Sequence, residues 1–335
     1  MTMPFLESLQ PDLDEACESI NSRHAKLLGL QLPDGLRSHF RELARYIESR
    51  TGATAAMLVE MCCGSCMAEY QPEFDLVIHV AHAELRSLSE AGPRSSRVLF
   101  VRYSPALDLE RGVREAIPML TAPVGVLTTA THADRLPAVL KLLKEANLEP
   151  LTASGKRTGA RSIVLGCDFS AARKLAKKAN SFLFIGSGAF HPVGAEIATG
   201  KPVIGADPYT GQALVYTAVK DRILRKRFAA IELARNARIF GILLGLYPGQ
   251  LRKRKALELK RILEADGKEA YILAARRFDP ENLTHIGMDA LVSTACSRIA
   301  IDDEARYPLP VLTPPELAIA LGKRDWNDYI LDELG

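Results

Sequence analysis

One pattern occurs three times and constrains the fold more than any other feature: a short apolar run, a tight turn, then a stretch with helical periodicity. LLGLQL (27–32) runs into the turn Pro33-Asp34-Gly35, and LRSHFRELARYIES follows with Leu36, Phe40, Leu43 and Ile47 on one helical face. Near residue 122 the scheme restarts as PVGVLTT, with a helix through Leu136, Leu140 and Leu143. Near 239 it restarts again as IFGILLG, the turn Tyr247-Pro248-Gly249-Gln250 and a helix using Leu259, Ile262 and Leu263. Apolar runs alternating with helices specify parallel α/β units, and a spacing of about a hundred residues specifies three similar domains rather than a solenoid of short repeats. The expected divisions are 1–105, 106–218 and 219–335. LDLERGVREAIPML and DRILRKRFAAIELARNAR are the bridging helices.

Each unit carries a cysteine at the end of an apolar, strand-like run: AAMLVEMC with Cys62, SIVLGC with Cys167 and DALVSTAC with Cys296. Ligand groups in open parallel sheets gather in the loops at the carboxyl ends of strands. Three units around a pseudo-threefold centre would therefore bring three thiols to one point. The chain has six cysteines, and three of them, Cys62, Cys63 and Cys66, fall in EMCCGSC. That cluster reads four ways: a zinc half-site, a redox pair Cys63-Gly-Ser-Cys66, a local iron–sulfur motif, or one ligand with two bystanders. A zinc site wants a second knuckle, and a redox pair leaves Cys167 and Cys296 unexplained. Free cysteine is also often just a small buried apolar residue, which competes for Cys167 and Cys296 and is the reading for Cys17.

Composition matters through what it excludes. A net charge of +3 argues against bulk nucleic-acid binding, and the longest apolar run, IFGILLGLY, is too short to span a bilayer. The start MTMPFLESLQPDLDEACES has no signal-peptide pattern, so a cytoplasmic protein is expected. In that compartment clustered thiols point to metal or redox chemistry.

LGCDFSAA (165–172), FIGSGAFHPVGAEIATGKPVIGADPYT (184–210) and STACSRIAIDD (293–303) resemble the archaeal diphthamide-biosynthesis family, the 2-(3-amino-3-carboxypropyl)histidine synthases. LQLPDGL (30–36) and DLVIHVAH (75–82) resemble its first domain. The resemblance implies three α/β domains, each giving one cysteine to a four-iron four-sulfur cluster. Carried over by motif, the ligands are Cys62, Cys167 and Cys296. The family usually has Gly-Ala before its first cysteine and acidic residues after, whereas Glu60-Met61 precedes Cys62; Cys63 and Cys66 are the alternative donors. The implied reaction is a non-canonical radical one, and the CxxxCxxC motif of ordinary radical enzymes is absent here. The reduced cluster would pass one electron to S-adenosylmethionine and break the bond between sulfur and the gamma carbon. Methylthioadenosine leaves, and the aminocarboxypropyl group goes to an imidazole carbon of a histidine on elongation factor 2. An electron donor and a homodimer are the other implied partners.

With the resemblance, Gly186, Gly188, Phe190 and His191, in the glycine loop after SFLFI, are expected to contact the substrate, against a plain glycine turn and, for His191, a satisfied structural histidine. Gln31, Asp34, Gly35, Tyr247, Gly249 and Gln250 are expected as pocket walls, although both segments are also simply good turns. Arg298 is expected to neutralise the substrate carboxylate or the cluster, against a plain ion pair with Asp302 or Asp303. His79 and His82 alone do not make a metal site. RILRKRF (222–228) and QLRKRK (250–255) read as solvated helix faces or as a docking surface for a macromolecular substrate. Two rival readings remain: a quinolinate-synthase-like dehydratase, which also joins three domains around a three-cysteine cluster, and a non-catalytic zinc- or RNA-binding translation factor.

Overall fold

The computed structural model describes residues 4–89 and 95–334. Three sheets form in succession. The first joins β1 (Leu27–Gln31), β2 (Thr54–Met57), β3 (Leu76–Val80) and β4 (Val98–Val101) in the order β2-β1-β3-β4. The second contains β5 (Val124–Thr128), β6 (Pro150–Leu151), β7 (Ser181–Ile185), β8 (Val203–Ala206) and β9 (Ala213–Val215), in the order β6-β5-β7-β8-β9. The third contains β10 (Ile239–Gly245), β11 (Glu269–Ala275), β12 (Ala290–Ser293) and β13 (Val311–Leu312), in the order β11-β10-β12-β13. In each sheet the first strand therefore lies between the second and the third, with the fourth outside the third. Every pairing is parallel except β8 with β9. Such an order reverses direction between the first and third strands, which places a crevice at their carboxyl ends.

The local reasons are those of the sequence pattern. β3, β5 and β7 are buried along their whole length, as apolar runs covered on both faces must be. Helices Phe40–Thr51, Leu136–Glu145 and Lys253–Ala265 turn their apolar stripes onto the three sheets, burying Leu43 and Ile47, Val139 and Leu143, and Leu259 and Leu263 respectively. One face of the first sheet carries the main core of its unit, including Leu28, Leu30, Ile78 and Val80. On the other face, adjacent strands place Gln31, His79 and Phe100 side by side. Among the described residues no helix is long and apolar enough to cross a membrane.

Three local readings change. SIVLGC is not a strand: Thr128 N–H bonds Ser162 O and Val164 N–H bonds Thr128 O, a single bridge to β5. β6 pairs with only the first two residues of β5, so this segment fills the vacant far end of that edge. AAMLVEMC leaves the sheet at Met57 and runs irregularly through Cys62. The helix Thr217–Arg235 is not uniformly solvated on its basic side, because Arg227 is 0% exposed. Its guanidinium pairs with Glu316 at 2.8 Å and donates to the carbonyls of Ala300 and Val311. Glu316 also accepts from Thr313 N–H at the start of helix Pro314–Ala320, completing a capping box.

The chain end departs from the third sheet. Leu331 enters the second unit's core beside Phe169, Arg173 pairs with Glu333, and Leu334 N–H donates to the carbonyl of Cys167 at 2.9 Å.

Candidate metal centre

Loops from the carboxyl ends of all three sheets enclose a cavity of about 270 Å³. Its walls include Cys66 from the first unit, Cys167 from the second and Cys296 from the third, with Arg157, His191 and Arg298. Each unit touches the other two at this end. Gln250 donates to Cys66 Sγ at 3.3 Å, Arg86 N–H bonds Arg157 O at 2.8 Å, and Ser297 Oγ donates to Gly166 O at 3.4 Å. A larger open groove of about 720 Å³ between the helices Lys253–Ala265 and Pro314–Ala320 and the chain end contains neither thiol nor imidazole.

The first-domain cysteines on this cavity are Cys66 and Cys63, not Cys62. Cys62 is 2% exposed and lies outside the cavity wall, sharing its surroundings with His79 and His82. The reason is local. After β2 the chain travels from Met57 past Glu60, which accepts from Tyr247 of the third unit, to the turn Ser65–Met67. There it packs on Gly249, where an added Cβ would meet the Cys66 Cα at 2.4 Å. Only glycine allows that approach. Cys63 lines the cavity rim and is exposed. The signal was present in the sequence: Gly64-Ser65, a close match to Gly-Ala, stands immediately before Cys66, and Glu69 follows.

The three sulfurs share an environment. Arg157 donates through one nitrogen to Cys167 Sγ at 2.7 Å and through the other to Gly249 O at 2.8 Å, tying the second unit to the third. The backbone N–H of Arg298 supports the Cys296 sulfur. Burial nevertheless pushes the Cys167 thiol up to about 11 and the Cys296 thiol up to about 12, each raised further by Cys66 nearby. Burial raises Cys66 as well, partly opposed by Gln250 and Arg157. Three mutually repelling buried thiols do not ionise together near neutral pH without a cation among them. Deprotonated sulfurs held by N–H donors, with two guanidinium groups alongside, are the surroundings that a thiolate-bound, negatively charged iron–sulfur group requires. The donor set fits such a group.

The other residues expected here divide into four groups. His191 lines the cavity, stacks on Phe184 and is held neutral by burial, its value lowered to about 4. Arg298 lines it too, paired with Asp302 at 2.6 Å, while its guanidinium lies 5.0 Å from the centre of the Phe190 ring. Phe190 in turn fills the space beside Gly166, where a Cβ would collide with its ring at 2.3 Å. Tyr247, Gly249 and Gln250 buttress the Cys66 loop from behind rather than lining the cavity, with the Tyr247 hydroxyl donating to Glu60 at 3.0 Å. Gly186 and Gly188, with φ of 150 and 79, turn the chain into helix Phe190–Thr199 without forming the wall. Gln31 is buried against Met67 O and His79, and Asp34 pairs with Arg37 at 3.0 Å. Gln31, Asp34 and Gly35 are therefore not pocket walls, because the first sheet presents the end of β3, through Ala81 and His82, to the cavity instead. Sequence reading missed Arg157, which sits in KRTGAR with only its charge to mark it.

Three repeated α/β units that pool one thiol each into a single cavity define a class of metallo-cluster proteins. A sequence family of diphthamide synthesis proteins matches residues 32–330, and the chain belongs to that family. A 2-(3-amino-3-carboxypropyl)histidine synthase of Pyrococcus horikoshii is 33% identical over 315 residues, covering 92% of this chain and 89% of that protein. Subunit 1 of the human synthase is 28% identical over 327 residues, covering 93% and 72%. A crystal structure of Dph2 from Pyrococcus horikoshii with a 4Fe-4S cluster matches with a TM-score of 0.85 at 29% identity, covering 97% of this chain and 93% of that one.

Proposed function

We propose that this chain is a 2-(3-amino-3-carboxypropyl)histidine synthase acting on elongation factor 2 with S-adenosylmethionine, and that Cys66, Cys167 and Cys296 hold a 4Fe-4S cluster. The observation that carries the proposal is one thiol from each of three units on the wall of one cavity, in a chain whose family relatives bear that activity in their names. When bound, the cluster supplies the electron that opens the sulfonium bond to the gamma carbon and yields methylthioadenosine. The protein's own residues bind and orient. Arg298, fixed by Asp302 and by the Phe190 ring, offers a guanidinium to the amino acid carboxylate. His191, neutral and buried, can accept or donate one hydrogen bond without adding charge. Arg157 and Gln250 hold the sulfurs of Cys167 and Cys66. The cavity opens between units, so a histidine on a loop of the factor enters from outside, with docking supplying the positioning within about 3–3.5 Å that reaction demands. An electron donor, a homodimer and a cytoplasmic setting belong to the same proposal.

The test is anaerobic. Reduced protein with S-adenosylmethionine should release methylthioadenosine and modify the factor. Dominant 5′-deoxyadenosine would overturn the bond assignment, and zinc without iron and sulfide would overturn the cluster.

A further inference from the structure

Cys62, His79 and His82 have no part in the cavity's chemistry as described, yet the Cys62 Sγ and one ring nitrogen from each histidine all lie within 4.8 Å of one another. Cys62 comes from the irregular segment after β2, and the histidines from the end of β3 and the turn beyond it. Ala81 between them adopts a φ of 76, which brings His82 back over His79.

Hydrogen bonding fixes which atoms face the centre. Gln31 Nε2 donates to Met67 O at 3.2 Å, so its Oε1 is the atom 2.7 Å from His79 Nδ1. An amide oxygen only accepts, so Nδ1 carries the proton of this neutral imidazole and Nε2 presents a lone pair. That lone pair faces His82 Nδ1 at 3.0 Å. On the third side the backbone N–H of Gly64 supports the Cys62 sulfur.

We propose that Cys62 Sγ, His79 Nε2 and His82 Nδ1 bind a divalent cation of the zinc type, a second metal site distinct from the three cavity thiols. One thiolate and two imidazoles are a zinc donor set, and bonds of roughly 2.3 Å to sulfur and 2.0–2.1 Å to nitrogen put tetrahedral ligand atoms about 3.3–3.6 Å apart. The imidazole nitrogens are already closer than that, at 3.0 Å, and the sulfur, within 4.8 Å of them, has to close in by no more than about 1.2–1.5 Å. Gln31 is the outer acceptor that a ligating histidine ordinarily has. Binding deprotonates the Cys62 thiol, releases that proton to solvent and moves the His82 proton from Nδ1 to Nε2. Three protein ligands leave a fourth position, and His82 also lines the cavity, so water or a group from the cavity completes the shell. The ion would fasten the irregular segment before Cys66 to β3 and so hold that thiol's loop.

The cluster-loaded enzyme is incubated with one equivalent of Zn²⁺, desalted and analysed for both metals. Wild type should keep one zinc beside its iron; Cys62→Ser and His82→Asn should each lose the zinc and keep the iron. Gln31→Ala should weaken zinc by about 10–100-fold. In a full chain with Cys66, Cys167 and Cys296 all replaced by Ser, Co²⁺ should give a sulfur-to-cobalt charge-transfer band that Cys62→Ser abolishes. Zinc retained equally by Cys62→Ser and His82→Asn overturns the site, as does wild type that keeps none, which leaves a plain His79–His82 hydrogen bond. Should the triple variant not fold, the zinc count on the cluster-loaded proteins decides by itself, with His82→Asn, the less buried position, deciding if Cys62→Ser is unstable.

Discussion

Arg157 and Cys66 are the residues on which the site turns. Cys66→Ala should abolish the iron–sulfur absorbance as fully as Cys167→Ala or Cys296→Ala, whereas Cys63→Ala should keep its iron. Normal iron in Cys66→Ala would return the first ligand to Cys62 or Cys63. Arg157 donates to the Cys167 sulfur at 2.7 Å, and charged hydrogen bonds of this kind contribute about 1.5–3 kcal/mol. Arg157→Ala should therefore raise the Cys167 thiol further above its already raised value. Alkylation of that cysteine in the cluster-free chain should slow by roughly tenfold or more at pH 8; an unchanged rate would remove Arg157 from the account. His191 titrates at about 4 in the fold against an ordinary value near 6.5. The unfolded chain thus binds a proton in that window that the folded chain does not, so stability falls as pH drops from 6.5 toward 4. His191→Gln should flatten the fall by up to one proton, read from denaturant melts of the cluster-free chain across that range. Little of this was legible in the string: Arg157 carries no motif, Gly64-Ser65 marks Cys66 only by its likeness to Gly-Ala, and the seating of that loop depends on Gly249, a residue 183 positions away from Cys66 in sequence.

At the scale of elements, the helix Thr217–Arg235 shows why charge alone does not define a surface. Its RILRKRF segment contains one arginine that is a core residue and others that are solvated, because the helix packs between strand β13 and the helix Pro314–Ala320. Removing one partner of a buried, hydrogen-bonded pair strands the other charge and costs about 3–5 kcal/mol. Arg227→Ala should lose that much in equilibrium unfolding while Arg225→Ala stays within about 0.5 kcal/mol. Equal effects would mean that the helix is not seated as described. By contrast the strands and helices themselves were readable, since β1, β5 and β10 and the helices after them follow their apolar periodicity closely. SIVLGC failed for a non-local reason: whether an apolar run becomes a strand depends on its partner edge, and this segment meets the edge of β5 only at Thr128, beyond the two residues paired with β6.

At the scale of the whole molecule, the chain end closes the site. Leu331 and Leu334 are buried, Asp332 pairs with Arg252 and Glu333 with Arg173, and Leu334 holds the Cys167 loop directly. Burying two leucines is worth about 1.5–3 kcal/mol each. Deleting residues 331–335 should lower stability by roughly 3–6 kcal/mol and speed iron loss in air. A truncated chain that kept its iron as long as wild type would show the strap to be dispensable. Docking of the elongation factor, as the proposed function has it, also belongs here. The exposed Arg222, Arg225 and Lys226 remain candidates for steering an acidic partner, with an effect that salt weakens. Reversing those three charges should impair modification of the factor and leave uncoupled methylthioadenosine release intact; equal loss of both would indicate damage to the fold.

The sequence by itself determined the triplicated α/β architecture, because apolar periodicity is a local property that each segment carries wherever it lies. It determined two of the three cavity thiols for the same reason, since Cys167 and Cys296 each follow an apolar run by a short, countable step. Tertiary structure decided the third. Gly64-Ser65 marks Cys66 locally among three cysteines within five residues, but what seats that thiol is the contact of its loop with Gly249 and Gln250 of the third unit. Packing within single units turned Gln31 inward to His79 and one arginine of a basic helix into the core. Contacts between units separated by a hundred residues or more select among local possibilities that the chain, read in order, leaves equal.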